Sequence, residues 1–164
     1  MSDHPILLSK LVGDVGILLK KREETVAVAE SSSGGLVAAS LLSVPGASSY
    51  FLGGGAIYTR EARRELLGLS DDVVTMRAAT EDYALVVADA VREKLGATWG
   101  LCESGASGPT GNSYGDVAGH VAIALSGPKI LARTLETGSD DREGNMWRFA
   151  GEALELLREA LASS

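Results

Sequence analysis

The sequence predicts an α/β fold, a single three-layer α/β/α domain over residues 1–164 with a mixed central sheet. Three observations carry this. Apolar runs of strand length, Thr25–Ala29, Trp99–Glu103 and His120–Leu125, alternate with longer stretches whose apolar residues recur at helical spacing. A chain of 164 residues with a hydrophobic fraction of 45% suits one core. Gly127-Pro128 leaves only a short turn between His120–Leu125 and Ile130–Leu135. Strands joined so tightly run antiparallel, which makes the sheet mixed.

Each element has its own warrant. Ile6 to Lys21 carries Leu7, Leu8, Leu11, Val15, Leu18 and Leu19 at helical spacing. Thr25–Ala29 follows as the first strand, and Gly34 opens a helix over Leu36–Leu42. Gly54–Tyr58 reads as a strand and Arg60–Leu67 as a short helix, with Asp71-Asp72 a cap or solvated turn after it. Thr80 with Glu81 and Asp82 marks a helix start, and Gly96 ends that helix after Leu95. Trp99–Glu103, His120–Leu125 and Ile130–Leu135 are the later strands. Asp140 or Asp141 begins a last helix, which Trp147, Leu154, Leu157 and Leu161 tie to the core. There is no internal repeat, linker or low-complexity tract.

Composition narrows the function classes. A net charge of −7 disfavours a nucleic-acid partner, though one well-placed cation still holds a phosphate locally. No apolar run approaches membrane-spanning length, so no membrane partner is expected. The start, Met1-Ser2-Asp3-His4-Pro5, lacks the basic region of an export leader. The single cysteine, Cys102, makes no internal disulfide and reads as a small buried hydrophobe. A reducing, cytoplasmic location is therefore expected. Two histidines and one cysteine without ligand spacing give no metal site. Neither a Walker loop nor a dinucleotide glycine pattern is present, so no cofactor is expected.

The chemically richest segment is Val28-Ala29-Glu30-Ser31-Ser32-Ser33-Gly34-Gly35. Hydroxyls at a strand's end sit where open α/β sheets hold ligands, and the free amides of a helix start attract anions. Equally, Ser31 to Ser33 can simply cap the helix. Three further blocks follow: Pro45-Gly46-Ala47-Ser48-Ser49-Tyr50-Phe51, the stretch from Gly53 to Gly68 containing Tyr58-Thr59-Arg60-Glu61-Ala62-Arg63, and Ser104-Gly105-Ala106-Ser107-Gly108-Pro109-Thr110-Gly111. In order and spacing the four blocks resemble the CinA C-terminal domain family, whose active members include nicotinamide mononucleotide deamidases. That family's blocks read A-E-S-C-T-G-G, P-G-S-S, Y-S-N-E-A-K and S/T-G-I-A-G-P. The resemblance runs from about Leu7 to about Leu157. It implies hydrolysis of nicotinamide mononucleotide to nicotinic acid mononucleotide and ammonia, a small-molecule nucleotide substrate, and a homodimer or higher homo-oligomer.

Carried over position by position, the resemblance makes Ser31 the nucleophile. Tyr58 matches directly, and Arg63 stands where the family has its activating lysine. Glu30, Ser32, Ser33, Gly34, Gly35, Ser48, Ser104, Gly105, Gly108 and Arg142 become the substrate-binding positions. Ser32 replaces a common cysteine. A second C-terminal arginine falls at about Met146, with Arg148 as its substitute from the next turn. The plain structural alternatives are a turn cap for Ser48, aromatic packing for Tyr58 and a flexible surface loop for 110–116.

Arg63 raises a chemical problem. A seryl hydroxyl needs a base, and a lysine of lowered pKa can serve. A guanidinium stays protonated, so Arg63 instead suits orienting a phosphate or stabilising an oxyanion. Glu30, Glu103 and His120 are the candidates for a replacement base, His120 reading chiefly as a strand residue satisfied by local hydrogen bonds. Three functions stay open: the deamidase, a hydrolase of a related amide or ester with another base, and a catalytically silent binding protein.

Overall fold

Strand parity sorts the core, and the computed structural model, which describes residues 4–163, shows how. The elements run α1 (His4–Arg22), β1 (Val26–Glu30), α2 (Leu36–Leu42), a 3₁₀ turn (Ala47–Ser49), β2 (Phe51–Ala56), α3 (Arg60–Glu65), α4 (Asp71–Val74), α5 (Glu81–Leu95), β3 (Trp99–Ala106), β4 (His120–Ser126), β5 (Leu131–Glu136) and α6 (Arg142–Ala162). The sheet order is β2-β1-β3-β4-β5. β1 runs parallel to β2 and β3, while β4 runs antiparallel to both β3 and β5. The sheet is therefore mixed, as the Gly127-Pro128 turn requires. Met1–Asp3, part of the stretch read for an export leader, lie outside the described residues.

On one sheet face Val26, Val28, Trp99, Leu101, Val121, Ile123 and Leu125 pack against α1, α2 and α6. On the other, Ala27, Ala29, Cys102, Ala122 and Ala124 meet α5. The small residues let α5 lie close. At Gly100 an added Cβ would run into the Ala88 carbonyl of α5, so only glycine fits there. Leu154, Leu157 and Leu161 of α6 are buried as expected, and Trp147 packs partly buried against them.

Local signals place the helix ends. Thr80 accepts from the Tyr83 amide at 3.2 Å, Asp141 accepts from Gly144 at 3.2 Å, and Gly96 ends α5 in the left-handed region. Strand bounds moved more. β2 begins at Phe51, not Gly54, because its glycine-rich run pairs with β1 from Val26 onward. β3 reaches Ala106, past Glu103, because His120 of β4 pairs with Ala106. α3 stops at Glu65, short of Leu67, and Asp71-Asp72 opens the one-turn α4, where Asp71 pairs with Arg64 at 2.9 Å.

Candidate functional site

The same parity places two carboxylates beneath one turn. Glu30 follows Val26 and Val28, and Glu103 follows Trp99 and Leu101, so both point toward α2. Ala29 pairs with Cys102, which sets Glu30 and Glu103 side by side at neighbouring strand ends. Both are 1% exposed. Glu30 accepts from the amides of Gly35, Val37 and Ala38 at 3.2, 2.9 and 3.0 Å, and so caps α2 from below. Glu103 accepts from the amides of Ser31 and Ser33 at 3.0 and 2.9 Å, and from the Ser32 hydroxyl in a very short hydrogen bond.

Ser33 Oγ lies between them, 2.6 Å from Glu30 Oε1 and 2.7 Å from Glu103 Oε2. A hydroxyl has one proton to give, so the second contact needs a proton on a carboxyl group. Burial pushes the Glu30 pKa up, and the Glu103 charge adds to this, against the lowering by the Ser33, Ala38 and Val37 hydrogen bonds.

Beyond the ends of β1 and β3 lies a polar cleft of about 210 Å³ lined by Ser32, Tyr58, Gly105, Ala106, Ser107, Gly108, Thr110, Gly111, Asn112 and Arg142. Arg142 is the first residue of α6 and donates through Nη1 to the Gly108 carbonyl. Gly108 has φ +111°, and a Cβ there would press on the Asp140 carbonyl, so the chain passes under α6 only as glycine. The loop after it is fastened rather than loose. Asn112 accepts from the Tyr114 and Asp116 amides at 3.0 and 3.1 Å, and Asp116 pairs with Arg77 at 2.8 Å. Asn145 of α6, buried, donates to the Ser107 and Ser139 carbonyls at 2.8 Å each and accepts from Thr137 at 2.6 Å.

The structure thus brings together Ser32, Tyr58, Gly105, Gly108 and Arg142 of the expected site. The other expected site residues lie outside that lining. Glu30 and Ser33 are bonded to each other and to the turn above them, and neither lines the cleft. The Gly34 amide bonds the Ser31 carbonyl at 3.2 Å and the Gly35 amide bonds Glu30. The helix start read as an anion holder is thereby filled by the protein's own carboxylate. Ser104 faces α5 and accepts from the Ala79 amide at 3.1 Å. Ser48 is exposed in the 3₁₀ turn at the entry to β2, the opposite end of a parallel strand pair from the cleft.

Arg63 is the buried residue of α3 and turns toward the α5 layer. Its Nη1 donates to the Val74 carbonyl at 3.1 Å and its guanidinium lies 4.8 Å from the Tyr83 ring centroid, while its buried Nε has no partner among the described residues. Burial pushes the Tyr114 phenol up, but hydrogen bonds from the Ala78 backbone, Arg60 and Arg63 outweigh it and hold the pKa below its ordinary value. Ser31 is half-buried, and its hydroxyl makes no hydrogen bond among the described residues.

His120 is the satisfied strand residue expected, with Nδ1 3.1 Å from Glu136 Oε1 and Nε2 2.8 Å from the Ala79 carbonyl. Burial pushes the Cys102 thiol far up, which leaves it inert. Arg148 does not stand in for a second arginine at the cleft. It bonds Glu152 at 3.4 Å in a groove with Leu8, Leu11 and Trp147. Thr110 and Asn112 were not among the expected site residues. Their signal, the polar turn residues Thr110-Gly111-Asn112-Ser113, reads equally as an ordinary loop. Glu103 had a clearer signal, a charge inside an apolar strand just before a run of small residues. Among the described residues no group of His, Cys, Asp and Glu is placed to hold a metal, and no helix is long and apolar enough to cross a membrane.

Known proteins share this architecture. A CinA-like protein of Synechocystis sp. is 39% identical over 154 residues, covering 92% of this chain and 37% of the relative. One of Desulfosudis oleivorans is 41% identical over 123 residues, covering 74% of this chain and 30% of the relative. The chain thus spans about a third of the length of these curated relatives. A crystal structure of a competence/damage inducible protein, CihA, from Agrobacterium tumefaciens superposes with a TM-score of 0.86 at 26% identity, covering 95% of this chain and 96% of that one. A CinA superfamily protein from Klebsiella pneumoniae 700603 superposes with a TM-score of 0.88 at 24% identity, covering 96% and 99%, and shares the fold. The family described as the CinA C-terminal domain matches residues 8–161, and the chain belongs to that family.

Proposed function

We propose that this chain is an amidohydrolase that converts nicotinamide mononucleotide and water to nicotinic acid mononucleotide and ammonia, with a serine of the 31–33 turn as nucleophile. The observation that carries the reading is a polar cleft with a carboxylate-bonded seryl residue in its wall and the Arg142 guanidinium at its rim. A hydroxyl beside a carboxylate suits acyl transfer, and a guanidinium fork suits a phosphate. Tyr58, half exposed in the same wall, offers a surface for an aromatic ring. The family resemblance points to Ser31 as nucleophile, to a homodimer or higher homo-oligomer, and to action in the cytoplasm. The burial of Arg63 away from the turn favours a second reading, in which the cleft hydrolyses a related amide or ester with a base other than the family lysine.

Ammonia release from nicotinamide mononucleotide tests this. Release by the wild-type protein, lost when Ser31 and Ser32 are both changed to alanine, is the expected result. Release that persists in the double variant overturns a serine mechanism. No release, with the mononucleotide still raising Tm, moves the assignment to the second reading.

A further inference from the structure

We propose that Ser32, not Ser31, is the attacking hydroxyl of this cleft and that Glu103 takes its proton, an inference that rests on the hydrolase reading above. Ser32, 5% exposed, lines the cleft, and its hydroxyl is already hydrogen-bonded to Glu103 Oε1. Ser31 is absent from the cleft lining, and its hydroxyl has no base within hydrogen-bond reach among the described residues.

The other candidate bases are committed elsewhere. Arg63 faces the opposite sheet layer, both ring nitrogens of His120 are engaged, and Glu30 is held by three amides of α2. Glu103 is held by the Ser31 amide, the Ser33 amide and the Ser33 hydroxyl, so its Oε1 is aimed at Ser32. A nucleophile, a base and a group orienting the base are the three parts that serine chemistry requires.

The backbone supports the same assignment. In the turn, the Ser31 and Ser33 amides go to Glu103, Gly34 bonds Ser31, Gly35 bonds Glu30 and Leu36 bonds Ser33. Of the amides from Ser31 to Leu36, that of Ser32 is the one with no partner among the described residues. It is the donor left for the oxygen of an attacked carbonyl.

The step balances. Ser32 Oγ bonds the carbonyl carbon, its proton passes to Glu103, and the carbonyl π pair moves to oxygen. Collapse breaks the C–N bond, and the amine leaves with the proton from Glu103. Water then cleaves the seryl ester by the same route, giving its proton to Glu103 and restoring the Ser32 hydroxyl.

An alkyl fluorophosphonate tests the pair without any nicotinamide substrate, since attack on phosphorus expels fluoride. We expect fragmentation of the labelled peptide to place one adduct on Ser32. Labelling should survive in Ser31→Ala and vanish in Ser32→Ala. Glu103→Gln should slow it about 10²-fold or more, the usual share of general-base help. If Glu103→Gln fails to fold, the two serine variants still decide. An adduct on Ser31, labelling undiminished in Ser32→Ala, or no labelled serine at all overturns the proposal. Ser32 labelling without ammonia release from nicotinamide mononucleotide would overturn the substrate assignment alone. Ammonia release that survives in Ser32→Ala would overturn the pair and leave the substrate standing.

Discussion

Ser33 shows how one hydroxyl constrains two acids. Its single proton cannot serve carboxylate oxygens 2.6 and 2.7 Å away, so one of the two contacts needs a proton on a carboxyl group. Burial, aided by the charge of Glu103, raises the Glu30 pKa in the folded chain. The folded state then binds a proton at Glu30 more tightly than the unfolded chain. Its contribution to stability is fully present below the unfolded glutamate value and drains away as pH rises through the raised folded value. Glu30→Gln removes the titrating group at a constant, pH-independent cost, since Gly35 and Val37 donate to one glutamate oxygen and Ala38 to the other and glutamine keeps only one acceptor. Urea unfolding from about pH 5 to about pH 8 should show a flatter decline in the variant than in the wild type. Equal slopes would remove Glu30 as the source. Little of this was legible from residue identities, because a glutamate at a strand's end reads the same whether or not another stands beside it.

Among the elements, α5 packs by closeness and α6 by bulk. The face of α5 meets alanines, Cys102 and Gly100, where a Cβ would overlap the Ala88 carbonyl. Gly100→Val is expected to destabilise by at least about 1–3 kcal/mol, the usual cost of overpacking, with m unchanged in urea. An unshifted midpoint would mean that α5 moves aside freely. Helix ends were legible in sequence because caps are local: Thr80, Gly96 and Asp141 bond residues within four positions. Strand ends were less so. β2 is an edge strand rich in glycine, and β3 is as long as its partner β4 makes it, so their bounds depend on distant chain.

In the molecule as a whole, the cleft is a joint between the ends of β1 and β3, segment 105–112 and the start of α6. Asn145 fastens it with three hydrogen bonds to Ser107, Thr137 and Ser139. Asn145→Ala removes all three from a buried position and is expected to cost about 1–3 kcal/mol. It should also speed hydrogen exchange at amides 107–112 more than at β1. Uniform acceleration across the chain would show that Asn145 supports the fold generally and not the cleft wall.

By itself the sequence determined the α/β class, the mixed sheet, most helices with their caps, and membership of the family through motifs that local spacing preserves. It also brought Ser32, Tyr58, Gly105, Gly108 and Arg142 onto the short list that the structure gathers at one cleft. Only the tertiary structure decided that Arg63 turns to Tyr83, that Glu30 fills the start of α2, that Ser48 lies at the far end of the sheet, and that Glu103 reaches Ser32. The physical reason is separation. Ser32 and Glu103 lie 71 residues apart, and a two-residue period tells which face a side chain takes but not which strand end stands next to it.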